Sequence, residues 1–175
     1  WPVHLRDDVL PTAPEVAVVM FGANDAQPME VAGTPYPVRT PEWQAEYRRR
    51  VGTTMDLLSG DGRLVVWVGM PRMRDADFDE RMQILNAIYE EEADGRAWVR
   101  FVDTADILSV DGGGYAAYVP DGSGRPQLAR QGDGIHLSTF GAGLVSDAVY
   151  EVIDAEIAAS PTPTTTAPPT SAGGD

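Results

Sequence analysis

The sequence predicts an α/β fold, with three α/β/α layers and helices on both faces of a parallel sheet, and three observations predict it. Short apolar runs of strand length recur at "VAVVMF", "RLVVWVGM" and "AWVRFVD". Segments with apolar residues at helical spacing separate them. Such alternation lays parallel strands side by side under helices. The third observation is length: 175 residues suit one domain with a real core.

The elements follow in order. Trp1, Leu5 and Val9 recur every four residues, which predicts an amphipathic helix ended by Pro11 and Pro14. Val16–Phe21 reads as a strand buried on both faces. Thr40-Pro41-Glu42 is a helix start, with Thr as N-cap and Pro at the first helical position. Trp43, Tyr47, Val51, Met55 and Leu58 share one face of that helix, and Gly60 and Gly62 close it. Residues 63–70 form a second buried strand. Phe78, Met82, Leu85 and Tyr89 mark the next helix, and residues 97–103 a third strand. A Gly-rich loop is expected from Ser109 to Gly132. Ser138 then caps a last helix carrying Phe140, Leu144, Ala148, Val152 and Ile153. The domain is expected to span residues 1–159. "SPTPTTTAPPTSAGGD", residues 160–175, is Pro/Thr-rich and is expected to be a disordered tail.

Composition narrows the partners. Net charge is −14, and all 13 basic residues are arginine. A nucleic-acid footprint needs clustered positive charge, so nucleic acid is not expected. Anionic membrane surfaces are disfavoured for the same reason. No run is long enough to span a membrane. The absence of cysteine excludes disulfides, thiol catalysis and thiolate metal sites. No spacing of His and carboxylates specifies a metal, and no cofactor is expected.

In parallel sheets, ligands sit beyond the carboxyl ends of the strands. Two motifs fall at that rim. Gly22-Ala23-Asn24-Asp25 follows the first strand; by itself it reads equally as a turn. Asp133-Gly134-Ile135-His136 precedes the last helix. A carboxylate three residues before an imidazole can accept from one ring nitrogen and leave the other free to take a proton from a hydroxyl. Taken alone, that segment also reads as a polar helix cap. Arg72, Arg74 and Asp75 stand at the same rim, and Tyr115 and Tyr118 in the long loop are candidates for stacking on a sugar.

Together the two motifs resemble the SGNH (GDSL-like) hydrolase family. Gly22-Ala23-Asn24-Asp25 matches its G-x-N-D block and Asp133-Gly134-Ile135-His136 its D-x-x-H block. The order of elements also fits, and "FGANDAQ" is similar to bacterial, often cell-envelope, members. The resemblance implies a flavodoxin-like fold and acyl-ester hydrolysis. It implies that Asn24 donates to the oxyanion and that Gly22 lets the backbone turn closely beneath the substrate. His136 is then the general base, oriented by Asp133. It further implies a small acyl-ester or acylated glycan substrate and a secreted or cell-envelope setting.

One departure stands out. The family's nucleophilic serine lies in a G-D-S block upstream of the G-x-N-D strand, and no G-D-S occurs in this sequence. The chain therefore reads as the C-terminal part of the fold, incomplete at the N-terminus. It is expected to be inactive alone and to expose an edge strand. The nucleophile is not among its residues. Two other functions fit the same residues: an O-acyltransferase using the same triad, and a non-catalytic glycan-binding or interaction domain.

Overall fold

The computed structural model describes residues 1–110 and 113–159. The Pro/Thr-rich tail expected from Ser160 lies outside the described residues.

Three parallel strands make the central sheet, in the order β1 (Val16–Val19), β4 (Leu64–Val68), β5 (Val99–Val102). Val16 pairs with Leu64, and Val65 with Val99. All five residues of β4 are buried, which is why its sequence is a continuous apolar run. Its side chains alternate between the faces. Val65 and Trp67 join a core with α2 (Pro41–Leu58) and α3 (Ala76–Asp94). Leu64 and Val66 face α5 (Thr139–Ala159) through Ala148, Val149, Val152 and Ile153. The result is the three-layer α/β/α arrangement. Trp43 stacks on Tyr47 with ring centroids 4.6 Å apart, and each large side chain buried in this way contributes about 1.5–3 kcal/mol.

The helix starts are explained by local chemistry. Thr40 Oγ1 accepts from the Trp43 N–H and Pro41 occupies the first turn. Asp75 accepts from the Phe78 N–H, and Ser138 Oγ from the Gly141 N–H. Arg63 and Leu64 resume an extended chain after the Gly60–Gly62 turn.

Several expectations need correction. The N-terminal segment is helical but irregular. It comprises α1 (Pro2–His4), a π-helical turn Leu5–Val9 and a 3₁₀ turn Leu10–Thr12, after which Ala13 adopts φ 50°. Leu5 is buried in the core, whereas Trp1 is exposed and stacks on Phe21 at 4.6 Å. The first strand is not buried on both faces. β1 lies at the sheet edge, with Val18 53% and Met20 42% exposed. An apolar run means two-sided burial only where elements cover both faces, and Val18 instead lines an open cavity against Val145 and Val149 of α5.

Two hairpins also went unread. β2 (Met29–Val31) pairs with β3 (Thr34–Tyr36), and β6 (Tyr118–Pro120) with β7 (Pro126–Leu128) inside the expected long loop. Strands of three residues are too short for a period-2 pattern to register. The short helix α4 (Thr104–Ile107), capped by Asp103, follows β5.

Candidate active site

The site is built at the carboxyl ends of β1 and β4. Beyond β1 the chain turns sharply at Gly22, whose φ of 144° favours glycine. A Cβ there would meet Tyr89 Oη at 2.8 Å and Met70 Sδ at 2.9 Å. The turn is tied from below. Tyr89 Oη donates to the Phe21 carbonyl (3.1 Å), and Tyr47 Oη donates to Asp25 Oδ2 (3.0 Å). The two hydroxyls touch at 2.7 Å. Burial pushes both hydroxyls well above the usual tyrosine range, so both stay protonated donors. Asn24 sits on this turn. Its carbonyl accepts from Gln27 Nε2, and its side-chain amide has no partner among the described residues.

The second half of the site is the turn before α5. Asp133 Oδ1 accepts from the N–H groups of Ile135 (2.8 Å) and His136 (3.0 Å), and Asp133 Oδ2 lies 2.7 Å from His136 Nδ1. The His136 ring, followed by those two N–H groups, holds the Asp133 carboxyl well below the usual carboxylate range. An ionised Asp133 accepts a hydrogen bond from Nδ1–H, and Nε2 has no partner among the described residues. The His136 side chain is 76% exposed.

Packing brings the halves together. Gly22, Asn24 and His136 line one cavity of about 530 Å³, with Met20, Phe21, Met70, Met73, Ile135 and Leu137 among its apolar walls. Asp133 stands behind His136. An imidazole paired with a carboxylate and a side-chain amide with no partner among the described residues therefore share one mouth. No serine lines it among the described residues. Ser138 donates to the Leu128 carbonyl, and Ser123 is bound to Asp121. No group of three or more His, Asp or Glu side chains is placed to hold a metal among the described residues.

Other rim candidates are committed elsewhere. Arg72 forms an ion pair with Asp79 at 2.6 Å. Arg74 Nη2 donates to the Gly132 carbonyl, and Asp75 caps α3. Tyr115 packs on the buried Arg130 guanidinium at 5.3 Å, while Tyr118 is exposed on β6. Sequence reasoning missed Arg130, Tyr47 and Tyr89 as parts of this region. The two tyrosines read as core positions on helix faces, and nothing in the local pattern around Arg130 announces burial.

No curated protein matches the chain in sequence. Among solved structures, a GDSL-like lipase from Bacteroides thetaiotaomicron superposes with a TM-score of 0.63 at 17% identity, over 89% of this chain and 69% of that one. An acetylxylan esterase from Geobacillus stearothermophilus, solved as a catalytic mutant, gives a TM-score of 0.54 at 18% identity, over 86% and 64%. A Streptococcus pneumoniae protein described as a platelet activating factor gives 0.55 at 17%, over 79% and 59%. The chain thus spans 59% to 69% of the length of these structures. At such identity the likeness establishes the fold. The family described as "protein of unknown function (DUF459)" matches residues 1–152, and the chain belongs to that family, with the fold of the GDSL-like hydrolases.

Proposed function

We propose that these residues form the base and oxyanion side of an acyl-ester hydrolase. One observation carries the reading: Asn24 and His136 line the same cavity, with His136 Nδ1 tied to Asp133. In this reaction a serine hydroxyl attacks the acyl carbonyl and passes its proton to His136 Nε2. Asp133 stabilises the resulting imidazolium. The carbonyl oxygen gains charge and takes a hydrogen bond from the Asn24 side-chain amide, and Gly22 allows the backbone to approach closely. His136 then returns the proton to the departing alcohol. Water attacks the acyl-enzyme by the same route in reverse.

The serine in this reading comes from polypeptide outside these 175 residues, packed along the open edge of β1. Three features support that placement. The cavity has no serine among its lining residues, and the edge of β1 carries no partner strand among the described residues. A second cavity of about 560 Å³, walled by Phe21, Tyr47, Trp67 and others, opens beside the segment that leaves β1. On this proposal the 175-residue chain alone is inactive. The substrate class is an acyl ester, including an acylated glycan; one fold neighbour is an acetylxylan esterase. A secreted or cell-envelope setting belongs to the proposal and rests on the Pro/Thr-rich sequence of residues 160–175.

The test is the full natural polypeptide, assayed with p-nitrophenyl acetate and labelled with a serine-reactive fluorophosphonate. Cleavage and labelling that both vanish in His136→Ala support the reading. Cleavage that persists in His136→Ala overturns it. Acceleration by sugar acceptors, with acyl transfer to them, converts the assignment to an acyltransferase. Folded protein with neither cleavage nor labelling leaves a binding domain.

A further inference from the structure

Arg130 is 1% exposed and has no carboxylate within ion-pair distance among the described residues. Burying a cation this way is costly, and an apolar side chain of similar volume fills such space more cheaply. Burial pulls the guanidinium below its usual basicity. Its donors go to main-chain carbonyls of two separate loops and, from Nη2, also to Met73 Sδ (3.4 Å). Nη1 donates to Arg72 O (2.5 Å), in the loop after β4. Nη2 donates to Ile135 O (2.7 Å) and reaches Gly134 O (3.3 Å), in the turn before α5. Tyr115 covers the guanidinium face, and Nε has no partner among the described residues.

The peptide planes carry the consequence. In a trans peptide, the C=O of one residue and the N–H of the next point in opposite directions. Nη2 holds the carbonyls of Gly134 and Ile135. The N–H groups of Ile135 and His136 therefore face the other way, and both donate to Asp133 Oδ1. Asp133 Oδ2 is then left for His136 Nδ1. The Nη1 bond anchors this assembly to the loop leaving the buried strand β4.

We infer that Arg130 is a positioning residue: its planar fork orients the Gly134–Ile135 and Ile135–His136 peptides, and through them the Asp133 carboxylate that fixes the His136 tautomer. Its importance for catalysis rests on the proposed function, but the positioning itself does not. Lysine keeps the charge and lacks the fork, so Arg130→Lys separates geometry from charge. Arg130→Met removes both.

The experiment is ¹⁵N NMR of the imidazole rings at alkaline pH in wild type and both variants. His4 is the internal control, since it lies on α1 with its own partner, Asp8. Wild type should show His136 as the single Nδ1–H tautomer. Both variants should show a tautomer mixture, an unchanged His4, and amide exchange at Ile135 and His136 faster by about tenfold or more. Folded variants that melt earlier yet keep the wild-type His136 tautomer and amide exchange overturn the inference, because that pattern means a merely structural role. If neither variant folds, wild-type exchange decides. Ile135 and His136 amides protected as strongly as those of β4 support the clamp; exchange at unprotected-loop rates refutes it. No turnover is needed, so absent esterase activity with a tautomer shift sinks the proposed function alone.

Discussion

His136 Nδ1 lies 2.7 Å from Asp133 Oδ2, three residues earlier, while Asp133 Oδ1 is held by two main-chain N–H groups of the same turn. The carboxylate is thus oriented by the backbone before it orients the ring. On the proposed function, Asp133→Asn in the full natural polypeptide should preserve the fold and offer the ring an amide, disturbing the tautomer. Ester cleavage should fall by about 10⁴-fold, as should that of His136→Ala, measured as kcat/KM on p-nitrophenyl acetate.

Asn24→Ala separates chemistry from stability. The side-chain amide has no partner among the described residues to lose, so the urea midpoint should move by no more than about 0.5 kcal/mol equivalent. On the proposed function the same change removes an oxyanion donor and should cut kcat by roughly 100- to 1000-fold. A large stability loss with unchanged kcat contradicts the assignment.

Gly22→Ala should be destabilising by about 1–3 kcal/mol in urea unfolding, since it combines a φ of 144° with a contact to Tyr89 Oη at 2.8 Å. Tyr89→Phe removes the bond to Phe21 O and the hydroxyl contact with Tyr47 without adding volume. It should cost about 1–3 kcal/mol, the penalty of leaving buried partners unmade.

Acid should loosen the Asp133 turn. The folded carboxyl is held below its unfolded value of about 4. Its contribution to stability is therefore fully present above that pH and is lost as pH falls toward the folded value. Unfolding free energy measured between neutral pH and about pH 2 should drop less steeply in Asp133→Asn than in wild type.

Much of the fold was legible because its signals are local. Thr40-Pro41 starts α2 and Ser138 caps α5 through bonds to residues three along. β4 read as buried because five consecutive apolar residues fit no amphipathic pattern. The Asp133–His136 pair was legible for the same reason, being closed within one turn. β1 was misread as covered on both faces, since an apolar run cannot report what lies across the sheet. The β6–β7 hairpin was missed because its two strands are only three residues each.

What the sequence alone determined was the set of elements and two polar turns, because capping, periodicity and i to i+3 hydrogen bonds depend on near neighbours. Only the tertiary structure decided that Asn24 and His136, more than a hundred residues apart, open onto one cavity. It likewise decided that Arg130 is buried against the turn that carries His136 and that Tyr47 and Tyr89 brace the Gly22 turn. Such meetings depend on how whole helices pack on the sheet. Once that packing has offset the entropy of closing the intervening chain, the distances follow from the assembled core rather than from any local stretch.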